Sequence, residues 1–380
     1  MRLGDICSKI GSGATPRGGK EAYSASGIPI IRSQNVLDWS FSSNGLAYLN
    51  DEQARTLSNV EVHQGDILLN ITGDSVARAC IVPSDVIPAR VNQHVAILRP
   101  KEKANATFIL AWLQTNKDLL LKLASSGATR NALTKRMLEG LDINLPSIDI
   151  QNHIAALISL IQSKINLNIK LNGYLLELAT TRFEQALFKS NRVVRLGDIV
   201  KLEDLKRVPL NSRDRDARKG PYPYYGATSI MDYVDDYLFD GIRVLLGEDG
   251  SVIDESGRPI LQYVWGKYWV NNHAHILAAA SDYSLEAIYI ALQRTPISHI
   301  VTGAVQRKIS QRNLNKLKLE MPDAKSLEYL QDIFAAYRCN CEENRGLVSL
   351  RDALLPKLMS GEIDVSKIDV AQLNSHLAEY

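Results

Sequence analysis

Long apolar runs are missing from this 380-residue chain. Nowhere do 18 apolar residues stand together, and Met1 is followed by Arg2, Asp5 and Lys9. Neither membrane insertion nor export is therefore expected, and the expected location is the cytoplasm. Cysteine is scarce: Cys7, Cys80, Cys339 and Cys341 are too few for a disulfide framework and lack the C-x-x-C spacing of a zinc site, so reduced, incidental thiols are expected. An excess of one charge is missing too. With 44 Lys and Arg against 42 Asp and Glu, the net charge is +2, so any surface for nucleic acid must come from local segregation of charge. One such segment is Ala304 to Lys318, which holds Arg307, Lys308, Arg312, Lys316 and Lys318 and no acid.

Catalytic signatures are absent as well. No two prolines are adjacent, which excludes the Asn-Pro-Pro-aromatic signature of an adenine methyltransferase. Gly11-Ser12-Gly13-Ala14-Thr15-Pro16 opens like a dinucleotide fingerprint but ends in proline, and the run through Lys20 fails as a phosphate loop because position 14 is alanine. No metal site is expected at the pair His273 and His275. What remains is ordinary globular composition, 45% hydrophobic and 23% charged, in a chain long enough for more than one core.

What is present is a repeat. Arg2-Leu3-Gly4-Asp5-Ile6 recurs as Arg195-Leu196-Gly197-Asp198-Ile199. Gly127-Ala128, Leu138, Leu141 and Pro146 recur as Gly303-Ala304, Leu314, Leu317 and Pro322, all 176 residues on. Chance does not hold register in this way. Between these marks, Val91-Asn92-Gln93-His94 resembles Val270-Asn271-Asn272-His273 at an offset of 179, so the middle carries insertions and deletions.

After each proline comes a heptad pattern. Ile154, Ile158, Ile161, Ile165, Asn168, Asn172, Leu175, Ala179 and Arg182 alternate four and three apart, and adding 176 gives Leu330, Phe334, Tyr337, Cys341, Asn344, Val348, Arg351, Leu355 and Leu358. The polar seam positions Asn168 and Asn344 cost stability and can fix register. Short apolar runs such as Ile28-Pro29-Ile30-Ile31, Asp66-Ile67-Leu68-Leu69 and Val244-Leu245-Leu246, bounded by Gly, Asn and Asp, read as strands, and Phe108 to Leu123 and Leu285 to Gln293 as short helices. The expected fold is α+β with a pseudo-two-fold internal repeat: strand-rich domains at 1–146 and 191–322, joined by long antiparallel coiled-coil helices at 147–190 and 323–361, with a tail at 362–380.

Together these features resemble the specificity subunit of type I restriction-modification enzymes, over nearly the entire chain. The repeated Arg-Leu-Gly-Asp-Ile is similar to that family's opening motif, and Gly13-Ala14-Thr15-Pro16 to its Gly-x-Thr-Pro element. Tyr222-Pro223-Tyr224-Tyr225-Gly226-Ala227 and Leu246-Gly247-Glu248-Asp249-Gly250 resemble a common class of target recognition domain. The closing Leu354-Leu355-Pro356-Lys357-Leu358-Met359-Ser360-Gly361-Glu362-Ile363 is the most specific match; the first helix has Arg182-Phe183-Glu184-Gln185-Ala186-Leu187-Phe188 instead. The resemblance implies two target recognition domains, each reading half of a bipartite site in double-stranded DNA, with the helices setting the gap. It also implies two methyltransferase subunits that carry S-adenosylmethionine, and motor-nuclease subunits that join them. The chain itself would be non-catalytic and bind no cofactor or metal.

Base readers should be polar side chains in turns, because Arg pairs with guanine and Asn or Gln with adenine through two hydrogen bonds. The candidates are Arg17, Lys20, Arg32, Gln34, Asn35, Arg78 and Arg130 in the first half. In the second they are Lys206, Arg207, Tyr224, Tyr225, Thr228, Gln306, Arg307 and Lys308. Two other classes of function stay open on the sequence: a coiled-coil scaffold that binds protein, and a stand-alone nuclease or methyltransferase with diverged motifs.

Overall fold

A computed structural model describes residues 1–16, 18, 22–125, 131–303 and 306–368. The chain divides into two compact units, Met1–Asn168 with Glu343–Tyr380, and Ile169–Glu342. Each unit carries two four-stranded sheets of the same connectivity. In the first unit one sheet runs Cys7–Ser12, Val95–Pro100, Ile67–Asn70, Ala79–Ile81, all antiparallel; the other runs Ala47–Leu49, Ile28–Ile31, Ala89–Val91, Glu61–Val62, with its middle pair parallel. In the second unit the first sheet runs Val200–Leu202, Ala274–Ala279, Arg243–Gly247, Leu261–Val264. The second runs Ile230–Val234, Lys219–Tyr225, Lys267–Val270, Phe239–Asp240, again with a parallel middle pair. The apolar faces meet between the sheets: Leu68, Val95 and Ile97 pack on Ile30, Ile31 and Val91 in one unit, and Leu245 and Ile276 on Tyr225 and Val270 in the other.

The repeated opening motif is a packing device. Leu3 and Ile6, like Leu196 and Ile199, are buried in a one-turn helix. Leu3 N–H donates to Leu141 O and Leu196 N–H to Leu317 O, both at 2.8 Å. The glycine of each motif lets that turn lie on a second one: a Cβ on Gly4 would meet Glu139, and one on Gly197 would meet Asn315 at 2.9 Å. In the first unit Gly13 makes a closer approach, since its Cβ would sit 1.9 Å from Val91 O.

The segment expected as a single helix from Phe108 to Leu123 is two, Ala106–Thr115 and Lys117–Ser125. Asn116 ends the first with a non-helical backbone, φ −100° and ψ 23°, and its side-chain amide donates to Trp112 O at 2.8 Å. The first long helix spans Ile148–Lys189. Gln151 ties its start to the sheet domain by donating to Pro146 O at 2.9 Å and accepting from Asn105 N–H at 2.9 Å. The second long helix begins at Tyr329, because Ser326 folds back on Asp323 O in a tighter turn, and it runs to Ser360. Beyond it Val365 packs into the first unit's core.

Within each unit the helical segments pair antiparallel along the heptad seam. In the first unit Ile154 and Ile158 pack in one core with Leu355 and Leu358, and Ile161, Ile165, Asn168 and Arg351 are buried along the same seam. Asn168 Nδ2 donates to its own repeat counterpart, Asn344 Oδ1, at 2.9 Å and to Glu343 at 2.7 Å. Buried Arg351 donates to Gln162 at 2.9 Å and lies 4.8 Å over the Trp39 ring. In the second unit Ala179 and Phe183 pack with Leu330 and Phe334, and half-buried Tyr337 and Cys341 meet Asn172. Arg182, expected on the seam, is exposed, and Phe183 takes the place. A strict heptad drifts against an α-helix of 3.6 residues per turn, so the buried stripe slips by one. Cys7 and Cys80 are buried, and burial pushes each thiol up to about 12.

Candidate nucleic-acid interface

At one end of the antiparallel sheet of the first unit, three chain segments are laced together. Ile71 N–H donates to His94 O at 3.0 Å, Leu133 N–H to Ile71 O at 2.8 Å and Gly73 N–H to Asn131 O at 3.3 Å. His94 is fixed from two sides: its backbone N–H donates to Asn92 Oδ1 at 3.1 Å, and its Nδ1 lies 2.6 Å from Thr72 Oγ1. These segments and the Ser33–Asn35 turn enclose an open cavity of about 770 Å³, lined by Gln34, Thr72, Asp74, Arg78, His94 and Asn131 among others.

The second unit builds the same bracket from different side chains. Glu248 N–H donates to His273 O at 2.8 Å, Ile309 N–H to Glu248 O at 2.8 Å and Gly250 N–H to Arg307 O at 3.0 Å. His273 N–H donates to Asn271 Oδ1 at 2.8 Å, and its Nδ1 lies 2.6 Å from Asp249 Oδ1. The bracket equates Thr72 with Asp249, His94 with His273 and Asn131 with Arg307. Strand pairing equates Ile31 with Tyr225, since Asn92 N–H donates to Ile31 O and Asn271 N–H to Tyr225 O. Three residues further on, Gln34 and Thr228 therefore hold the same place, and both are exposed. The hairpins equate Arg78 with Ile260, whose carbonyls accept from Asn70 and Gly247.

Several expected readers are corrected by burial. Asn35 is fully buried; it accepts from Arg32 N–H at 3.0 Å and donates to Ser42 O at 2.9 Å and Asn44 O at 3.2 Å, so it shapes the turn that presents Gln34. Tyr224 is buried, with its hydroxyl 2.9 Å from Leu210 N, and Tyr225 is buried with its ring edge on Tyr268. Their polar ends are used or enclosed, and their rings are core. Arg32 is half-buried, bonded to Gly45 O and stacked on Tyr23. Arg207 is spent internally, on Glu248 at 2.6 Å and on Ala274 O at 2.7 Å. Arg17, Lys20 and Arg130 lie outside the described residues. Exposed side chains remain at Gln34, Arg78, Lys206, Thr228, Gln306, Arg307 and Lys308. Lys206 pairs with Glu203 at 2.6 Å and Lys308 with Glu248 at 3.2 Å. Gln306 to Lys308 sit on a tight loop closed by mutual Thr302 and Lys308 backbone bonds, in which Gly303 has φ +88°.

Beneath that loop lies a buried ion network that the sequence reading missed. Asp204 accepts from Ile276 N–H at 2.8 Å, from Gln311 at 2.6 Å and from His275 Nδ1 at 2.6 Å, while His275 Nε2 reaches Ile309 O at 2.9 Å. Burial alone would raise the Asp204 carboxyl, but His275, the Ile276 N–H and Arg207 outweigh it and hold it below the ordinary value. Glu248 is lowered in the same way, against its burial, by Arg207, His275 and Lys308. Asp204, Glu248 and His275 stand close enough to hold a metal ion. Their oxygens and ring nitrogens are already matched to protein donors and acceptors, and the cations Arg207 and Lys308 fill the surroundings, so the arrangement is that of a structural network. His273, two residues earlier, lies in the turn before the strand Ala274–Ala279 and is exposed, whereas His275 in the strand is fully buried.

The sequence profile of the family described as type I restriction modification DNA specificity domain matches residues 1–175 and 189–337, one copy on each half. This chain belongs to that family. Its role is DNA-sequence specificity, and membership does not favour a protein-binding scaffold or a stand-alone nuclease or methyltransferase. A Methanocaldococcus jannaschii type I restriction enzyme specificity subunit is 22% identical over 411 residues, covering 97% of this chain and 94% of that one. A Haemophilus influenzae protein provisionally named as such a subunit is 30% identical over 127 residues, and the match spans only 33% of this chain and 32% of that protein. The crystal structure of an S subunit from M. genitalium superposes with a TM-score of 0.56 at 15% identity over 94% of this chain and 95% of that one, which establishes the shared fold. No helix among the described residues is long and apolar enough to cross a membrane.

Proposed function

We propose that the chain reads a two-part target in double-stranded DNA, one part with each unit, and guides the methyltransferase and restriction subunits of a type I restriction-modification complex to it. The observation that carries this reading is the bracket built twice, with the same backbone bonds and different exposed side chains, in a chain of the DNA-specificity family. Identical frames with different side chains are what two readers of different base sequences need. Gln34 and Arg78 in one unit, and Thr228, Gln306, Arg307 and Lys308 in the other, are the side chains offered to DNA. The chain does no chemistry and holds no cofactor; S-adenosylmethionine belongs to two methyltransferase subunits. For these the first long helix offers exposed Leu171, Tyr174 and Leu178, three and four residues apart, a ready seam for partner helices.

The test is a domain exchange. Replacing residues 1–146 with another family member's recognition domain and mapping methylated adenines should change one half of the recognised sequence and leave the other intact. A change in both halves, or in neither, refutes the division of labour.

A further inference from the structure

The duplication supplies an internal comparison, because each position of one bracket has a counterpart in the other. Most exposed or half-buried counterparts differ: Gln34 and Thr228, Arg78 and Ile260, Thr72 and Asp249, Asn131 and Arg307. Apart from the glycines Gly73 and Gly250, one pair does not. His94 and His273 stand at the same place, each with its backbone N–H on the preceding asparagine side chain and its Nδ1 clamped at 2.6 Å by the turn beside it.

With Nδ1 clamped, each ring has Nε2 as its outward end. His94 lines the first unit's open cavity together with Gln34 and Arg78, and among the described residues its Nε2 is met by the amide nitrogen of exposed Gln93, at 3.2 Å. In the second unit the shorter Asn272 takes Gln93's place, and Nε2 of His273 has no partner among the described residues; the side chain is 46% exposed. A clamped ring costs little further entropy when it binds, so this is a donor held ready. What it meets must be common to both halves of the target. Base edges differ from one half-site to the next, whereas the phosphodiester is the same everywhere.

We propose that His94 and His273 are a matched pair of DNA-backbone ligands, one per unit, each donating from Nε2 to a phosphate oxygen. The proposal rests on the DNA-reading function above and assigns the pair to holding the duplex rather than to reading it. In the first unit Nε2 can donate once the Gln93 amide has turned away and the Thr72 hydroxyl donates to Nδ1. In the second unit the Asp249 carboxylate only accepts, so both ring nitrogens donate in the bound state, with an anion at each end.

The experiment uses the full chain and two duplexes, one bearing the target and one of equal length with both half-sites scrambled. His94→Ala and His273→Ala are each expected to weaken binding by about tenfold on both duplexes, leaving the ratio between them unchanged, as loss of one bond to a charged group should. Arg78→Ala, by contrast, should lose affinity on the target alone. A neutral methylphosphonate is then placed at each linkage in turn. At one linkage in the first half-site, wild type should lose about what His94→Ala loses, and the variant nothing more; one linkage in the second half-site should behave likewise for His273. His94→Gln, which keeps an N–H donor at similar reach, should recover part of the loss, which a packing defect would not allow. Losses confined to the target, no loss on either duplex, or methylphosphonate penalties that add to the histidine loss at every linkage would each overturn the proposal. A wild-type chain that binds both duplexes equally would instead remove the DNA-reading function, so the two failures are distinguishable.

Discussion

Replacing Asp204 by Asn keeps shape and volume but deletes the charge on which the second unit's buried network closes. Asp204 is 5% exposed and accepts three bonds of 2.6 to 2.8 Å, from His275, Gln311 and Ile276. An asparagine can still accept from Ile276 N–H, but its own amide N–H groups then face the His275 and Gln311 donors. Gln311 relieves part of this by flipping; the bond to His275 survives only in the ring form that keeps its proton on Nε2, facing Ile309 O, and without the charge. Breaking a buried charged pair by removing one partner costs about 3 to 5 kcal/mol, and the flip places this case near about 3. For a unit of this size that lowers Tm by roughly 6 to 12 °C. Because the folded Asp204 carboxyl is held below its ordinary value, its stabilisation is full above the unfolded value near about 4 and is lost as pH falls through the folded one. Wild type should therefore lose stability on acidification below about pH 4 more steeply than Asp204→Asn. Calorimetry at several pH values gives both quantities. Amide exchange at Lys308 and Ile309, whose N–H groups are bonded to Thr302 O and Glu248 O, reports whether the loop above the network loosens with it. A Tm drop under about 2 °C, or equal pH slopes in the two proteins, would refute the claim that this network holds the second reading loop.

The seam pair Asn168 and Asn344 should show a coupling of about 1 kcal/mol in a double-mutant cycle to alanine, measured by denaturant unfolding; additive losses would mean that the 2.9 Å bond contributes nothing. Gly13→Ala should destabilise by 2 kcal/mol or more, roughly, because its Cβ would stand 1.9 Å from Val91 O, whereas Gly11→Ala, in open space, should not. Gly173→Ala and Gly346→Ala, both free of neighbours on the long helices, should each stabilise by about 0.5 to 1 kcal/mol. Arg307→Ala should lower the slope of log affinity against log salt by about one, and an unchanged slope would place Arg307 off the DNA.

The repeat was legible because its strongest marks are packing contacts, and packing is what the two units share. The glycines of Arg-Leu-Gly-Asp-Ile lie against Glu139 and Asn315, themselves 176 residues apart, and the seam asparagines meet each other. A local pattern fails where burial is decided by a distant strand. Tyr224 and Tyr225 look like surface aromatics beside a glycine turn, and it is the parallel pairing of Tyr225 with Val270 that buries them. Asn35 looks like an adenine reader until the loop at Ser42 and Asn44 closes over it. The network of Asp204 and His275 joins residues 71 apart, with nothing in either neighbourhood to announce the other. His94 and His273 were in view as repeat marks, but a residue shared by both halves reads as structure when only sequence is seen. The fold changes that inference, because His94 lines an open cavity and Nε2 of His273 has no partner among the described residues, which packing alone does not require. In a duplicated reader, identity at an exposed position marks what every target has in common, and difference within the same frame marks what tells one target from another.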